Sequence, residues 1–139
     1  MRTKVTKTEL DALTYKIIGA AIEVHKNLGP GLLESLYHKC LKREFDIRGI
    51  SYSSELVIPV NYKGFQVSAD LRCDFLIENK IVVELKAKWS IAPVFKTILL
   101  TYMKLLEKPK GILINFNCTN IFKEGQSTFV NEYFEHLPD

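Results

Sequence analysis

The apolar residues Leu10, Leu13, Ile17, Ala21, Val24 and Leu28 recur every three or four positions, the spacing that gathers side chains on one face of a helix. That spacing predicts a helix over residues 9–28, with Thr8 as its N-cap. Gly29-Pro30-Gly31 cannot continue it, because a proline restricts the residue before it and glycines favour turns. Leu33, Leu36, Tyr37, Cys40, Leu41 and Phe45 then return to helical spacing. They predict a second helix over residues 32–48, closed by Gly49 in a left-handed cap.

Beyond Gly49 the period shortens. Leu56, Ile58, Val60 and Tyr62 alternate with other residues, Lys63-Gly64 marks a turn, and residues 65–77 resume as a second extended run, so a hairpin is predicted. Residues 81–87 read as a third strand, joined to the second through Glu78-Asn79-Lys80. Ser90 offers an N-cap and Pro93 a first-turn residue to a helix over residues 94–107, apolar on most sides and therefore expected to be buried. Residues 111–116 are a short continuous apolar run of the kind found in an internal strand, and residues 122–134 read as a final strand or an irregular hairpin. No repeat, low-complexity tract or linker interrupts the order ααβββαβ with a weak C-terminal strand. The fold class is α/β (α+β): two N-terminal helices, a three-stranded antiparallel unit, a crossing helix and further strands, in a single domain over residues 1–139.

Strand alternation sorts the second and third strands into two sets. Phe75, Ile77, Ile81, Val83, Leu85 and Ala87 are wholly apolar, while Asp74, Glu84 and Lys86 fall in the opposite set, so one face is expected to be core. The loop decides where the carboxylates meet. If Glu78-Asn79-Lys80 is a three-residue connection, Ile77 faces Ile81 and Asp74 lies across from Glu84; a two-residue turn would put the carboxylates on opposite faces. In the first register their Cβ atoms are roughly 5 Å apart, where two carboxylates repel unless something positive lies between them. A hard divalent cation, Mg²⁺ or Mn²⁺, answers that need. Asp74, Glu84 and the Leu85 carbonyl would ligate it, leaving room for a phosphate oxygen and a nucleophilic water. Lys86 points to the same site and would orient or help deprotonate that water, or offset charge in the transition state. Arg72, two residues before Asp74, would contact a phosphate or balance Glu84 or a neighbouring carboxylate. The short motif is not specific by itself. Asp/Glu-x-Lys recurs at Glu78-Asn79-Lys80, and an exposed strand face bearing Asp, Glu and Lys is commonly just solvated.

Composition narrows the classes. The 19 basic and 16 acidic residues leave a formal charge of +3, which permits a polyanionic partner without the strongly basic balance of a nucleic-acid coat. Cys40, Cys73 and Cys118 stand far apart, so neither a disulfide framework nor a zinc knuckle is indicated and a reducing cytoplasm fits. The basic start (Arg2, Lys4, Lys7) runs into Thr8-Glu9-Leu10-Asp11 rather than an apolar segment, and no run nears the roughly 18 apolar residues of a membrane span. A protein neither exported nor inserted in a membrane is expected.

The run Gly31-Leu32-Leu33-Glu34-Ser35-Leu36-Tyr37, preceded by Glu23-Val24-His25 and Gly29-Pro30, resembles the GxxExxY protein family, a branch of the PD-(D/E)xK nuclease-like superfamily. The likeness extends through Tyr62-Lys63-Gly64, Arg72-Cys73-Asp74, Val83-Glu84-Leu85-Lys86-Ala87, Leu100-Thr101-Tyr102 and the run from Gly111 to Phe116. The resemblance implies a restriction-endonuclease-like core and hydrolysis of phosphodiester bonds in DNA or RNA. It also implies that Glu34 is a helix-borne carboxylate facing the metal, Asp74 and Glu84 are metal ligands and Lys86 is the catalytic lysine. Read from the residues alone, Glu34 is an acidic group favoured by a helix N-terminus. Tyr37, one turn on beside His38, would buttress Glu34 or simply pack in the core. His25 reads as a packed or hydrogen-bonded histidine rather than a ligand.

Related nucleases often place Q-x-x-x-Y on the following helix. Here Ile98 stands where that glutamine would fall, and Tyr102 is retained. A nuclease of this kind would hold its substrate along Lys86, Lys88, Lys96 and Arg72, by phosphate contacts rather than base readout. The alternative is a catalytically weak or inactive nuclease-fold module that binds nucleic acid or a protein partner. A homodimer built on Trp89, Phe95 or Tyr133 is a third reading, although such residues are also routinely buried.

Overall fold

The computed structural model describes residues 5–67 and 70–139; Arg2, Lys4 and residues 68–69 of the second extended run lie outside them. Helix α1 spans Lys7–Leu28. Its N-cap is Thr6 rather than Thr8: the Thr6 hydroxyl accepts from the Glu9 N–H at 3.0 Å, while the Thr8 hydroxyl donates to the Asp139 carbonyl at 2.7 Å. Periodicity cannot choose between two threonines this close to a helix start. Helix α2 spans Glu34–Arg48 and ends as expected on Gly49, at φ 70° and ψ 26°.

Strands β1 (Tyr52–Val57), β2 (Val60–Tyr62), β3 (Phe65–Val67), β4 (Arg72–Ile77) and β5 (Ile81–Lys86) follow. The Lys63-Gly64 hairpin is present, with positive φ at both residues (52° and 81°) as a two-residue turn between twisted strands requires. It joins only β2 to β3, which form a separate two-stranded ribbon. Pro59, which has no N–H to donate to a ladder, lies at the break between β1 and β2.

Helix α3 (Pro93–Leu105) carries the chain from β5 across to β6 (Lys110–Asn115), which runs parallel to β5. A five-residue π turn, Ile121–Gly125, leads to β7 (Gln126–Val130) and the short α4 (Glu132–Glu135). The main sheet has the order β1-β4-β5-β6-β7, antiparallel at every pairing except β5 with β6. A mixed α+β architecture of helices, a mostly antiparallel sheet and a crossing helix is therefore present, in line with a restriction-endonuclease-like fold.

Both faces of this sheet are packed, where alternation in β4 and β5 led us to expect one. Leu10, Ile17, Tyr37 and Phe45 from α1 and α2 close over Phe75, Val83 and Ile112. On the other face, Leu99 and Met103 of α3 close over Leu76, Val82 and Leu113. Helix α3 is less buried than its composition suggests: among its residues Leu99 and Met103 are buried, and Val94 is 52% exposed, because the helix covers the sheet with one side only. Its N-cap is Ala92, with Pro93 in the first turn and no side-chain cap bond, so Ser90 does not cap it. It lies close to β6 at Gly111, where an added Cβ would come within 2.6 Å of Met103 Sδ and 2.9 Å of Leu99 Cδ1.

Candidate metal centre

The turn between β4 and β5 is the three-residue connection. Glu78 and Asn79 take positive φ (49° and 56°), the Lys80 N–H donates to the Ile77 carbonyl, and the register runs Ile77 to Ile81, Leu76 to Val82 and Phe75 to Val83. At the next position the backbone ladder gives way to side chains. The Asp74 N–H donates to Glu84 Oε2 at 3.0 Å, and the Leu85 N–H donates to Asp74 Oδ2 at 2.7 Å. Each carboxylate thus bonds the main chain of the opposite strand, which holds both at one end of the hairpin.

The same position is irregular on the other side of β4. Glu55 of β1 sits between the paired residues Ser54 and Leu56, at φ 51°, a left-handed conformation unfavourable for a residue other than glycine. Cys73 and Leu76, an odd number of positions apart, consequently pack into the same α3-side core. Strand alternation is interrupted at Asp74, flanked by two breaks in its ladders.

Glu84 is only 8% exposed. Burial first, and then the adjoining Asp74 carboxyl, push its pKa well above the ordinary carboxylate range; Lys86 opposes the shift. The buried Glu84 carboxyl and the partly buried Asp74 carboxyl beside it make an oxygen-only donor set of the kind a hard cation takes. Among the described residues no group of three or more His, Cys, Asp or Glu side chains is gathered into a preformed metal site.

Glu34 opens α2, behind Leu33, which makes no side-chain cap bond. Burial raises the Glu34 pKa, and the next influences are Lys86, Asp74 and Lys88, so these groups share one electrostatic neighbourhood. Glu34 and Asp74 line a cavity of about 290 Å³ together with Ser35, His38, Lys39, Lys42 and Glu55. A larger cavity, about 720 Å³, lies at the opposite end of the hairpin beside Glu78, Asn79 and Lys80, away from these carboxylates.

The cations are distributed unevenly. Lys86 Nζ lies 4.4 Å and Lys88 Nζ 5.6 Å from the centre of the Phe95 ring, so the two are brought together. Lys96 is directed instead to Phe129 of β7, at 5.1 Å, and Arg72 Nε to Asp70, at 3.4 Å. Arg72 therefore balances a neighbouring carboxylate other than Glu84.

Tyr37 is fully buried. It stacks on Phe116 with ring centres 4.5 Å apart, its hydroxyl donates to the Gly29 carbonyl, and it accepts from the Leu32 N–H at 3.2 Å. Its hydroxyl fastens the Gly29-Pro30-Gly31 turn and so sets where α2 begins, rather than touching Glu34. Tyr102 is near the carboxylates: after burial, the charges of Glu84, Cys73 and Asp74 raise its pKa. Ile98, one turn earlier, is half-buried and belongs to neither core cluster.

His38 and Glu55 were not singled out for the site by sequence reasoning. His38 Nδ1 is 4.0 Å from Asp74 Oδ1, Nε2 is 2.8 Å from Ser54 Oγ, and the ring stacks on Phe75 at 4.4 Å. Burial lowers its pKa, with Asp74 and Glu55 opposing, so the imidazole favours the neutral form. The signal for His38 was its place one helical turn after Glu34. Glu55 had none, since only the β1–β4 register brings it to Asp74. His25 meets its expectation as a hydrogen-bonded histidine, with Nε2 at 2.8 Å from the Cys118 carbonyl.

The family model of the PD-(D/E)XK nuclease superfamily matches residues 11–128. The chain belongs to that superfamily. No curated protein and no solved structure matches it. The match spans α1 through most of β7, so the superfamily assignment covers the carboxylate pair, Glu34 and Lys86 together. No helix among the described residues is long and apolar enough to cross a membrane.

Proposed function

We propose that this PD-(D/E)XK protein is a metal-dependent nuclease that hydrolyses phosphodiester bonds in DNA or RNA, with Mg²⁺ or Mn²⁺ as its cofactor. The observation that carries the reading is the pair of carboxylates, Asp74 and Glu84, each fixed by a main-chain N–H of the opposite strand beside Lys86. Asp74 and Glu84 would hold the ion, with Glu34 facing it from α2. The Leu85 N–H turns toward Asp74, and in an extended strand the carbonyl of the same residue turns the same way, which supports it as a further oxygen ligand. A bound divalent ion would lower the pKa of a ligated water and draw charge from the phosphoryl oxygens.

The chain's own residues do the rest. Lys86 would leave the Phe95 ring to orient the attacking water or to neutralise charge on the phosphate, and Lys88 would hold the adjoining phosphate. Lys96 and Arg72 add outlying positive charge along the strand. Tyr102 lies within electrostatic reach of Glu84, and Tyr37 keeps Glu34 in place by fixing the turn ahead of it. The free Cys40, Cys73 and Cys118 support a reducing compartment such as the cytoplasm.

The test is cleavage of labelled single-stranded, duplex and structured DNA and RNA with Mg²⁺ or Mn²⁺. Asp74→Ala, Lys86→Ala and Asp74→Asn, the last of which keeps an acceptor for the Leu85 N–H, should each reduce cleavage by at least about 10²-fold. Unchanged cleavage in Asp74→Ala and Lys86→Ala would overturn the reading. The second reading, a binding module without turnover, is favoured by Ile98 in place of the glutamine seen in related nucleases. It predicts salt-sensitive binding of nucleic acid and no metal-dependent product in any of these assays.

A further inference from the structure

Trp89 is the chain's single tryptophan and is 92% exposed. It stands just past the end of β5, three residues beyond Lys86. It lines two clefts. One, of about 400 Å³, lies between Trp89, Ala87 and the Gly31–Leu33 loop. The other, of about 390 Å³, lies on the side of Pro30, Cys118 and Glu124. Asn117 lines both, and its Oδ1 is buried with no hydrogen-bond partner among the described residues.

The inner cleft adjoins the candidate metal centre. Leu33, 77% exposed, immediately precedes Glu34, and Ala87 immediately follows Lys86. Lys86 and Lys88, gathered over Phe95, put two cations on the segment that carries the indole. Among the described residues Glu124 is the sole carboxylate lining either cleft, and it is engaged by its own loop, accepting from the Thr119 N–H and hydroxyl at 2.7 Å. An exposed indole and leucine flanked by lysines suit a ligand with an apolar aromatic face on an anionic backbone.

We propose that Trp89 and Leu33 form a stacking platform for an unpaired nucleobase, so that the substrate is a single-stranded segment or a frayed end rather than the interior of a duplex. A duplex covers the faces of its bases, and an indole at the strand tip can reach only a base whose face is free. The platform rests on the nuclease function proposed above for its biological sense, but its binding chemistry can be read separately.

The experiment uses the full chain with EDTA, so that nothing is cleaved. Because there is one tryptophan, its fluorescence reports the platform directly. Single strands of ~12 nucleotides, as DNA and as RNA, should quench it, while a duplex of equal length and an abasic strand of equal charge should not. By anisotropy of labelled strands, Trp89→Ala should lose about five- to hundredfold in affinity and Trp89→Phe about threefold or less. Equal binding of abasic and base-bearing strands, tighter binding of duplex, or an unaffected Trp89→Ala variant would overturn the platform; a protein-docking role for Trp89 would give that last result. Base-dependent quenching in a protein that cleaves nothing with Mg²⁺ or Mn²⁺ would overturn the nuclease reading and leave the platform standing. Metal-dependent cleavage with no preference for single strands would do the reverse.

Discussion

The β4–β5 hairpin is built in two different ways along its length. Toward the turn, Leu76 and Val82 pair through a regular ladder and lie under Leu99 and Met103. At the open end, Asp74 and Glu84 replace the ladder with side-chain bonds to main-chain N–H groups, and Lys86 lies against Phe95. One end uses apolar burial, which is favourable in itself; the other holds two carboxyl groups whose burial and mutual repulsion disfavour the charged form of Glu84. On the proposed function, stability and chemistry are assigned to separate stretches of the same strands, so each should be open to perturbation without the other.

The largest expected effect tests the packed end. Leu99→Ala, which empties a fully buried position, should destabilise the fold by about 2–5 kcal/mol in urea denaturation, with metal-dependent cleavage per folded molecule retained. The open end should answer in the opposite sense. Lys86→Met keeps a long apolar stem beside Phe95 and should lower cleavage by about 10²–10³-fold while changing stability by under ~1 kcal/mol. If Lys86→Met instead unfolds the protein, the division between the two ends fails.

Much of this division was legible in the sequence. The sequence reduced the question to the length of the Glu78-Asn79-Lys80 connection, and the three-residue turn then puts Asp74 beside Glu84, because strand side chains repeat every second position. Glu34 was found only through the resemblance, since nothing local ties the first turn of α2 to a strand more than thirty residues later. What stayed illegible depended on non-local pairing. Alternation assumed an unbroken strand, and neither the left-handed Glu55 nor the common packing of Cys73 and Leu76 could be read before β1 was known to pair with β4. Helical spacing left Tyr37 either to buttress Glu34 or to pack in the core; it packs there, on Phe116, and its hydroxyl goes to the turn at Gly29.

Gly111 tests whether the two ends are coupled through α3, which carries Leu99 and Met103 for packing and Tyr102 toward Glu84. Gly111→Ala drives a methyl group against Met103 and Leu99 and should cost about 1–3 kcal/mol in denaturant unfolding. Met103→Ala in the same chain makes room for it, so the double variant should be more stable than the sum of the single effects. A strictly additive double variant would show that the close approach of α3 to β6 does not limit packing there.

The smallest effect concerns the open end without its cation. The Glu84 carboxyl titrates above its ordinary value in the folded chain, through burial and the neighbouring Asp74. The neutral form is therefore favoured by folding. Its stabilising contribution is fully present below the ordinary carboxylate pKa and is lost as the pH rises toward the folded value. A divalent ion needs the charged form and should reverse this loss, so Mg²⁺ or Mn²⁺ should raise the melting temperature more at pH 8 than at pH 5. At about ten times Kd the gain corresponds to about 1.4 kcal/mol. Glu84→Gln keeps an acceptor for the Asp74 N–H but has no charge to titrate, and it should flatten both the pH slope of the ion-free protein and the gain on adding metal. A pH-independent metal shift, or one of equal size in Glu84→Gln, would mean that the ion binds elsewhere and that the carboxylate pair serves only to join β4 to β5.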